Sequence, residues 1–223
     1  MALDVTTKDC TALSDAELAE MADLCADGGI CYEIGLLSKL VSDWVLVTQV
    51  REGAHLRAFS FSTLERIGGT PSVLIGVAGI RRTSKRDSFL RAIVSDNLRR
   101  ALMAFPDEDV LVGTRMVDPG AFEAYKVMVD IVPRPGHKVS GEERAWGRRL
   151  AKRFEVDAER YDQHTFTVTG DGAAPLVLDH EPLKPEKVVP DVAAQFTHLE
   201  TDRGDCLITF GWVMAEEHLK YNG

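Results

Sequence analysis

Apolar residues recur along this chain with two rhythms, and the changes between them mark its elements. Over residues 12–27, ALSDAELAEMADLCAD, the positions Leu18, Met21, Leu24 and Cys25 fall at helical intervals. Ser14 and Glu17 have the spacing of a capping box, and Gly28-Gly29 closes the segment. Ile34, Leu37, Leu40 and Val41 keep the same rhythm and predict a second helix over residues 30–41. From Asp43 the period becomes two. WVLVTQV, the turn Arg51-Glu52-Gly53 and HLRAFSFSTLER read as a β-hairpin, and Gly68-Gly69-Thr70-Pro71 leads into a third strand over residues 72–80. Three consecutive strands therefore make an antiparallel meander.

The helical period returns over residues 88–105, where Phe89, Leu90, Ile93, Val94, Leu98, Ala101, Leu102 and Phe105 form a broad apolar stripe. Asp87 or Ser88 suits its N-cap, and Pro106 stops it. Residues 109–116 read as a strand apolar enough to lie beside 73–80. A right-handed strand–helix–strand crossover makes those two strands parallel, and a splay at their carboxyl ends would leave a slot. Pro119 then suits the first turn of another helix.

Beyond Ile131 the pattern is looser. Pro133-Arg134-Pro135-Gly136 is a loop. Residues 140–156 form a helix with a second capping box, Ser140 and Glu143, and with Trp146, Leu150 and Phe154 four apart. Its Arg144, Arg148, Arg149, Lys152 and Arg153 read as a solvated face, with a lid or added anion contact as the alternative. Residues 164–170 and the start of CLITFGWVMAEEHL read as strands. Asp179-His180-Glu181 looks chemical, but neighbours on an extended chain point to opposite sides, and solvent exposure is expected. Residues 191–200 carry no assignable pattern.

Charge changes this picture at one place. The chain of 223 residues has a formal charge of −9, which argues against nucleic acid as a partner. Yet residues 81–100 carry Arg81, Arg82, Lys85, Arg86, Arg91, Arg99 and Arg100 against only Asp87 and Asp96. A strand that enters a helix through a cationic turn aims free N–H groups and a positive dipole end outward, which suits a small polyanion. The four cysteines form no CxxC pair or Cys/His cluster, so no metal site is expected. Cys31, beside Tyr32, reads as a buried small hydrophobe. With neither a signal-peptide pattern nor a membrane-length apolar run, a cytoplasmic protein with reduced thiols and no membrane partner is expected.

This order of elements, an antiparallel meander followed by strand, basic turn, long helix, strand and helix, resembles the GNAT N-acyltransferase superfamily. The sharpest match is Asp118, Ala121 and Tyr125, which fit the spacing N-x-x-A-x-x-x-Y with Asp in the first place. The family's R/Q-x-x-G-x-G/A loop matches less well: with Arg82 first, Lys85 and Asp87 stand where glycines are expected. The resemblance implies an α+β fold with a twisted mixed sheet and one splayed parallel pair. It implies one domain over 1–223, with a donor-binding core over 12–131 and a divergent remainder over 132–223 that completes the sheet or the acceptor side.

The function it implies is transfer of acetyl from acetyl-CoA to a small-molecule or peptide amine, as a divergent member, with homodimerisation open. Tyr125 would then protonate the departing thiolate, as a phenol of ordinary pKa near ~10 is able to do. Strand-edge groups at Val77, Ala78, Gly79 and Ile80 would hold the carbonyl oxygen, and Arg81, Arg82, Lys85, Arg86, Asp87, Ser88 and Asp118 would line the donor site. Glu65, at the end of its strand, is the candidate base; its alternative is a surface ion pair. For Tyr125 the alternative is a core aromatic packed with Phe122 and Met128. For the whole chain it is a non-catalytic GNAT-like module that binds CoA, another phosphorylated ligand or a protein partner.

Overall fold

Two capping boxes form as the sequence predicts. Ser14 accepts from the Glu17 N–H at the start of α1 (Asp15–Ala26), and Glu17 reaches back to the Ser14 N–H. In the computed structural model, which describes residues 3–28 and 32–216 apart from the side chains of Glu123 and Ala124, α2 covers Ile34–Asp43. It starts later than residue 30, on an extended Glu33 that makes no side-chain cap. Cys31 lies outside the described residues.

The sheet is open and mixed. The strands β1 (Asp4–Asp9), β2 (Leu46–Glu52), β3 (His55–Ile67) and β4 (Thr70–Ile80) run antiparallel in that order. After α3 (Arg86–Ala104), β5 (Val110–Met116) pairs with β4 in parallel. Next come a 3-10 turn at Pro119–Tyr125, β6 (Val129–Val132), α4 (Gly141–Arg153), β7 (Tyr161–Asp162) and β8 (Thr167–Val168). A short α5 (Pro190–Ala194) precedes β9 (Cys206–Val213), which returns antiparallel to β5 and also pairs with β6 and β8. The mixed α+β architecture with one parallel pair is the one the GNAT resemblance implies.

Two cores sandwich this sheet. On one face α1, α2 and α4 bury Met21, Leu24, Leu37, Leu40, Trp146 and Leu150 against Leu74, Val77 and Leu111. On the other, α3 and the 119–125 turn bury Phe89, Ile93, Phe122 and Tyr125 against Val73, Ile75, Ala78 and Val112.

Several boundaries differ from expectation. Residues 164–170 give only Thr167–Val168 as strand, because Phe166 adopts φ 60° and turns the chain. The α3 helix begins at Arg86 with Lys85 in the cap position and no side-chain cap, so Asp87 sits in the first turn. The segment after Asp118 is a 3-10 turn, capped by the Asp118 carboxylate accepting from the Gly120 N–H at 2.7 Å. Neither β1 nor β6 is foreshadowed by alternation; DVTTKD is polar at almost every position and serves as an edge strand.

Candidate functional site

A bulge in β4 creates the slot. Phe61 pairs with Val77 and Ser62 with Ile75, which leaves Gly76 as the extra residue. On the same stretch, the parallel pairing with β5 ends at Ile75↔Thr114, while β4 runs on to Ile80. A bulge bends and twists its strand, so β4 leans away from β5 where the sequence places the slot. Only glycine fits here: a β-carbon at Gly76 would lie 1.9 Å from Cζ2 of Trp44.

The chain itself enters that gap. Leu178 forms a parallel bridge with Ala78, and both flanking strands bond to the inserted segment. The Ala78 N–H donates to the Val177 carbonyl at 3.1 Å, and the Asp179 N–H donates to the Ala78 carbonyl at 2.9 Å. From the β5 side, the Arg115 carbonyl accepts from the Leu178 N–H at 2.8 Å. Val177 and Leu178 are both fully buried, one in each core, as an extended chain requires. Tyr32 clamps the segment: its hydroxyl donates to the Pro175 carbonyl at 2.9 Å and accepts from the Val177 N–H at 3.3 Å. Pro182 packs on Gly120, where a β-carbon would come within 2.4 Å of the ring.

At the mouth, each predicted cation meets a carboxylate of the same chain. Arg82 Nη2 reaches both oxygens of Asp179, at 2.8 and 3.0 Å, and Arg86 meets Glu181 at 3.4 Å. Arg81 pairs with Asp27, and Lys85 pairs with Glu52. Ser88 is exposed, and its N–H is taken by the Lys85 carbonyl at 2.9 Å. His180 Nε2 donates to Asp87 at 3.1 Å. The expected exposure of Asp179 and His180 is thus corrected: both are buried, because an inserted strand carries them in and the basic turn supplies their partners.

Burial pushes the Asp179 carboxyl up in spite of Arg82, and pushes His180 down to about 4 against the pull of Asp87. Three buried nitrogens of this cluster, Arg82 Nη1, Arg86 Nε and His180 Nδ1, have no partner among the described residues. Beside it an open cavity of about 470 Å³ is lined by Asp87, Lys126, Pro182, Lys184 and Lys187.

Asp118 belongs to this cluster, since burial raises its carboxyl while the Gly120 N–H and Arg82 oppose that rise. Tyr125 is fully buried, its hydroxyl has no partner among the described residues, and burial pushes the phenol far above its ordinary value. Glu65 is elsewhere. It faces Ser72, at the end of β4 remote from Ile80, and Arg153 of α4 holds it at 2.7 Å. The surface ion pair is therefore its place, and the slot contains no contribution from it. The α4 cations lie over the sheet face opposite α3, so they do not extend the mouth.

Sequence reasoning missed Gly76, Trp44, Tyr32 and the inserted Val177–Asp179 stretch. An apolar pair inside a loop rich in Gly and Pro was the available signal for the insertion. Arg115, at the end of β5, is also buried, with its guanidinium 4.8 Å from the Phe154 ring. Cys10 and Cys206 are buried thiols pushed up to about 12 and about 11, unlike nucleophiles. Among the described residues no group of His, Cys, Asp and Glu could hold a metal ion, and no helix is long and apolar enough to cross a membrane.

No family model matches the chain, and no curated protein matches it. Solved structures with a similar chain path include the ribosomal-protein-S18-alanine N-acetyltransferase from Escherichia coli, at 9% identity over 95% of each chain and a TM-score of 0.49. An acyl-CoA N-acyltransferase from Pseudomonas aeruginosa matches 56% of this chain and 82% of its own, at 17% identity and a TM-score of 0.40. The IAA acetyltransferase from Bacillus cereus ATCC 14579 matches 58% and 80%, at 11% identity and a TM-score of 0.39. At such identities no residue here inherits a role.

Proposed function

We propose that the protein is an acyl-CoA-dependent N-acyltransferase of GNAT type, with acetyl-CoA as donor and an amine as acceptor. The observation that carries the proposal is the bulge at Gly76, which parts β4 from β5 and opens a slot onto the cationic turn before α3. In this reading Arg82 and Arg86 hold the phosphates of the donor, and the Ala78 N–H holds the acyl carbonyl oxygen. A neutral amine attacks the thioester carbon, the C–N bond forms, and the C–S bond breaks. Tyr125, kept protonated by burial, gives its proton to the thiolate and is reprotonated by the water that takes up the amine proton. Glu65 has no part in it.

This chemistry requires Val177–Asp179 to leave. Exposing Val177 and Leu178 costs about 1.5–3 kcal/mol each, and each backbone hydrogen bond exchanged for water costs about 0.5–1.5 kcal/mol. Freed backbone regains about 1–2 kcal/mol per residue, which offsets part of that cost.

A second reading, a non-catalytic module that binds a phosphorylated ligand or a protein, is favoured by the filled slot and by the glycine-free turn. Free-thiol release from acetyl-CoA, followed across a panel of primary amines, separates the two. Turnover that falls at least tenfold in Tyr125→Phe supports the enzyme; no release with any amine supports the module.

A further inference from the structure

We propose that residues 175–182 are an autoinhibitory strap, a built-in imitation of the anionic donor that occupies the slot until the donor displaces it. The inference rests on the acyltransferase reading and adds a regulatory element to it.

The strap uses the groups a donor would need. Its backbone takes the N–H and carbonyl of Ala78. Its carboxylates stand on the cations of the mouth, Asp179 on Arg82 and Glu181 on Arg86. His180 covers Asp87 in the first turn of α3. Backbone and charge are engaged together, as by a pseudosubstrate.

The strap is also separable from the sheet. β4 stays paired with β3 as far as Ala58↔Ile80, and β5 stays paired with β9 along its whole length, so departure breaks neither ladder. The chain from Gly170 to Lys184 carries no helix or strand beyond this one bridge, so the strap's departure unravels no element once Tyr32 releases Pro175 and Pro182 leaves Gly120. Glu181 is half exposed, and its contacts with Arg82 Nε and Arg86, at 3.7 and 3.4 Å, are the loosest of the set, so opening can begin there.

Hydrogen exchange read by mass spectrometry tests this on the full chain, with acetyl-CoA as the probe. Saturating acetyl-CoA is expected to speed exchange at the amides of Val177, Leu178 and Asp179 while the rest of the sheet keeps its protection. Asp179→Asn, which weakens the closed state, is expected to tighten acetyl-CoA binding by about tenfold, because the apparent affinity scales with the open fraction. Glu181→Gln, at a more exposed position, provides the same comparison with a smaller gain should Asp179→Asn fail to fold. Binding that leaves the three amides protected overturns the strap and the assignment of the Ala78 N–H to the donor; amine-dependent thiol release in the same sample then keeps the transfer activity standing without either. Strap amides that exchange only with global unfolding, in wild type and variants alike, overturn it as well. A variant whose strap is shown to open yet which binds no acetyl-CoA at millimolar concentration overturns both.

Discussion

The indole of Trp44 lies against the backbone of Gly76 so closely that a β-carbon there would meet Cζ2 at 1.9 Å. Trp44 is the residue that follows α2, and it is buried among the α1, α2 and α4 side chains. The helical layer thereby presses on β4 at the bulge where β5 departs. Gly76→Ala must displace the indole, and overpacking of this kind costs about 1–3 kcal/mol. Urea denaturation is expected to show a loss in that range, together with loss of acetyl-CoA binding. A variant as stable as wild type would mean that Trp44 does not hold the bulge.

Arg82 and Asp179 are both mostly buried, with side-chain exposures of 16% and 8%. Removing one partner strands the other, at about 3–5 kcal/mol for a fully buried pair, whereas an apolar pair of similar size is often neutral. Arg82→Met alone is expected to destabilise by about 2–4 kcal/mol, given its partial exposure, and Arg82→Met/Asp179→Leu to recover most of that. Additive losses in the double-mutant cycle would show that the pair is not coupled.

His180 gives a pH signature. Its folded value is about 4 against an ordinary 6.5, so the folded state keeps it neutral where the unfolded chain takes up a proton. Its contribution is complete above pH 6.5 and is lost progressively as pH falls toward 4, up to about 3 kcal/mol at 1.36 kcal/mol per unit. Burial sets this shift; Asp87 opposes it, and Arg82 and Arg86 reinforce it. Asp179 and Asp118, both raised, act with the opposite sign, so the difference between wild type and His180→Asn is the quantity to measure. That difference is expected to shrink from pH 7 to pH 4.5; a flat difference contradicts a buried neutral imidazole.

Tyr125→Phe separates stability from chemistry. The hydroxyl is buried and donates to nothing among the described residues, so deleting it is expected to raise stability by about 1 kcal/mol while turnover falls. A loss of stability, measured by thermal unfolding, would point to a hydrogen bond that the folded protein makes.

What the sequence disclosed follows from the range of the forces. Ser14 with Glu17, Ser140 with Glu143 and the stripe of α3 are local patterns, and the elements they start are found within a few residues of expectation. The parallel β4–β5 pair follows from chirality and was legible too. The filling of the slot was not, because Asp179 meets Arg82 across 97 positions and Tyr32 meets Val177 across 145. Nothing local tells a buried Asp-His from an exposed one. Gly76 was likewise silent, since its constraint is set by Trp44, which is distant in sequence. Glu65 pointed to chemistry only for want of knowing where Arg153 would be.

Calorimetric titration of acetyl-CoA into Asp179→Asn, with Arg82→Glu as the paired control, tests most directly whether the parted β4–β5 edge is a donor site. The expected result is saturable one-to-one binding in the first, weakened at least tenfold by the second and by added salt. Absence of heat at millimolar acetyl-CoA, or equal affinity in both variants, would contradict it.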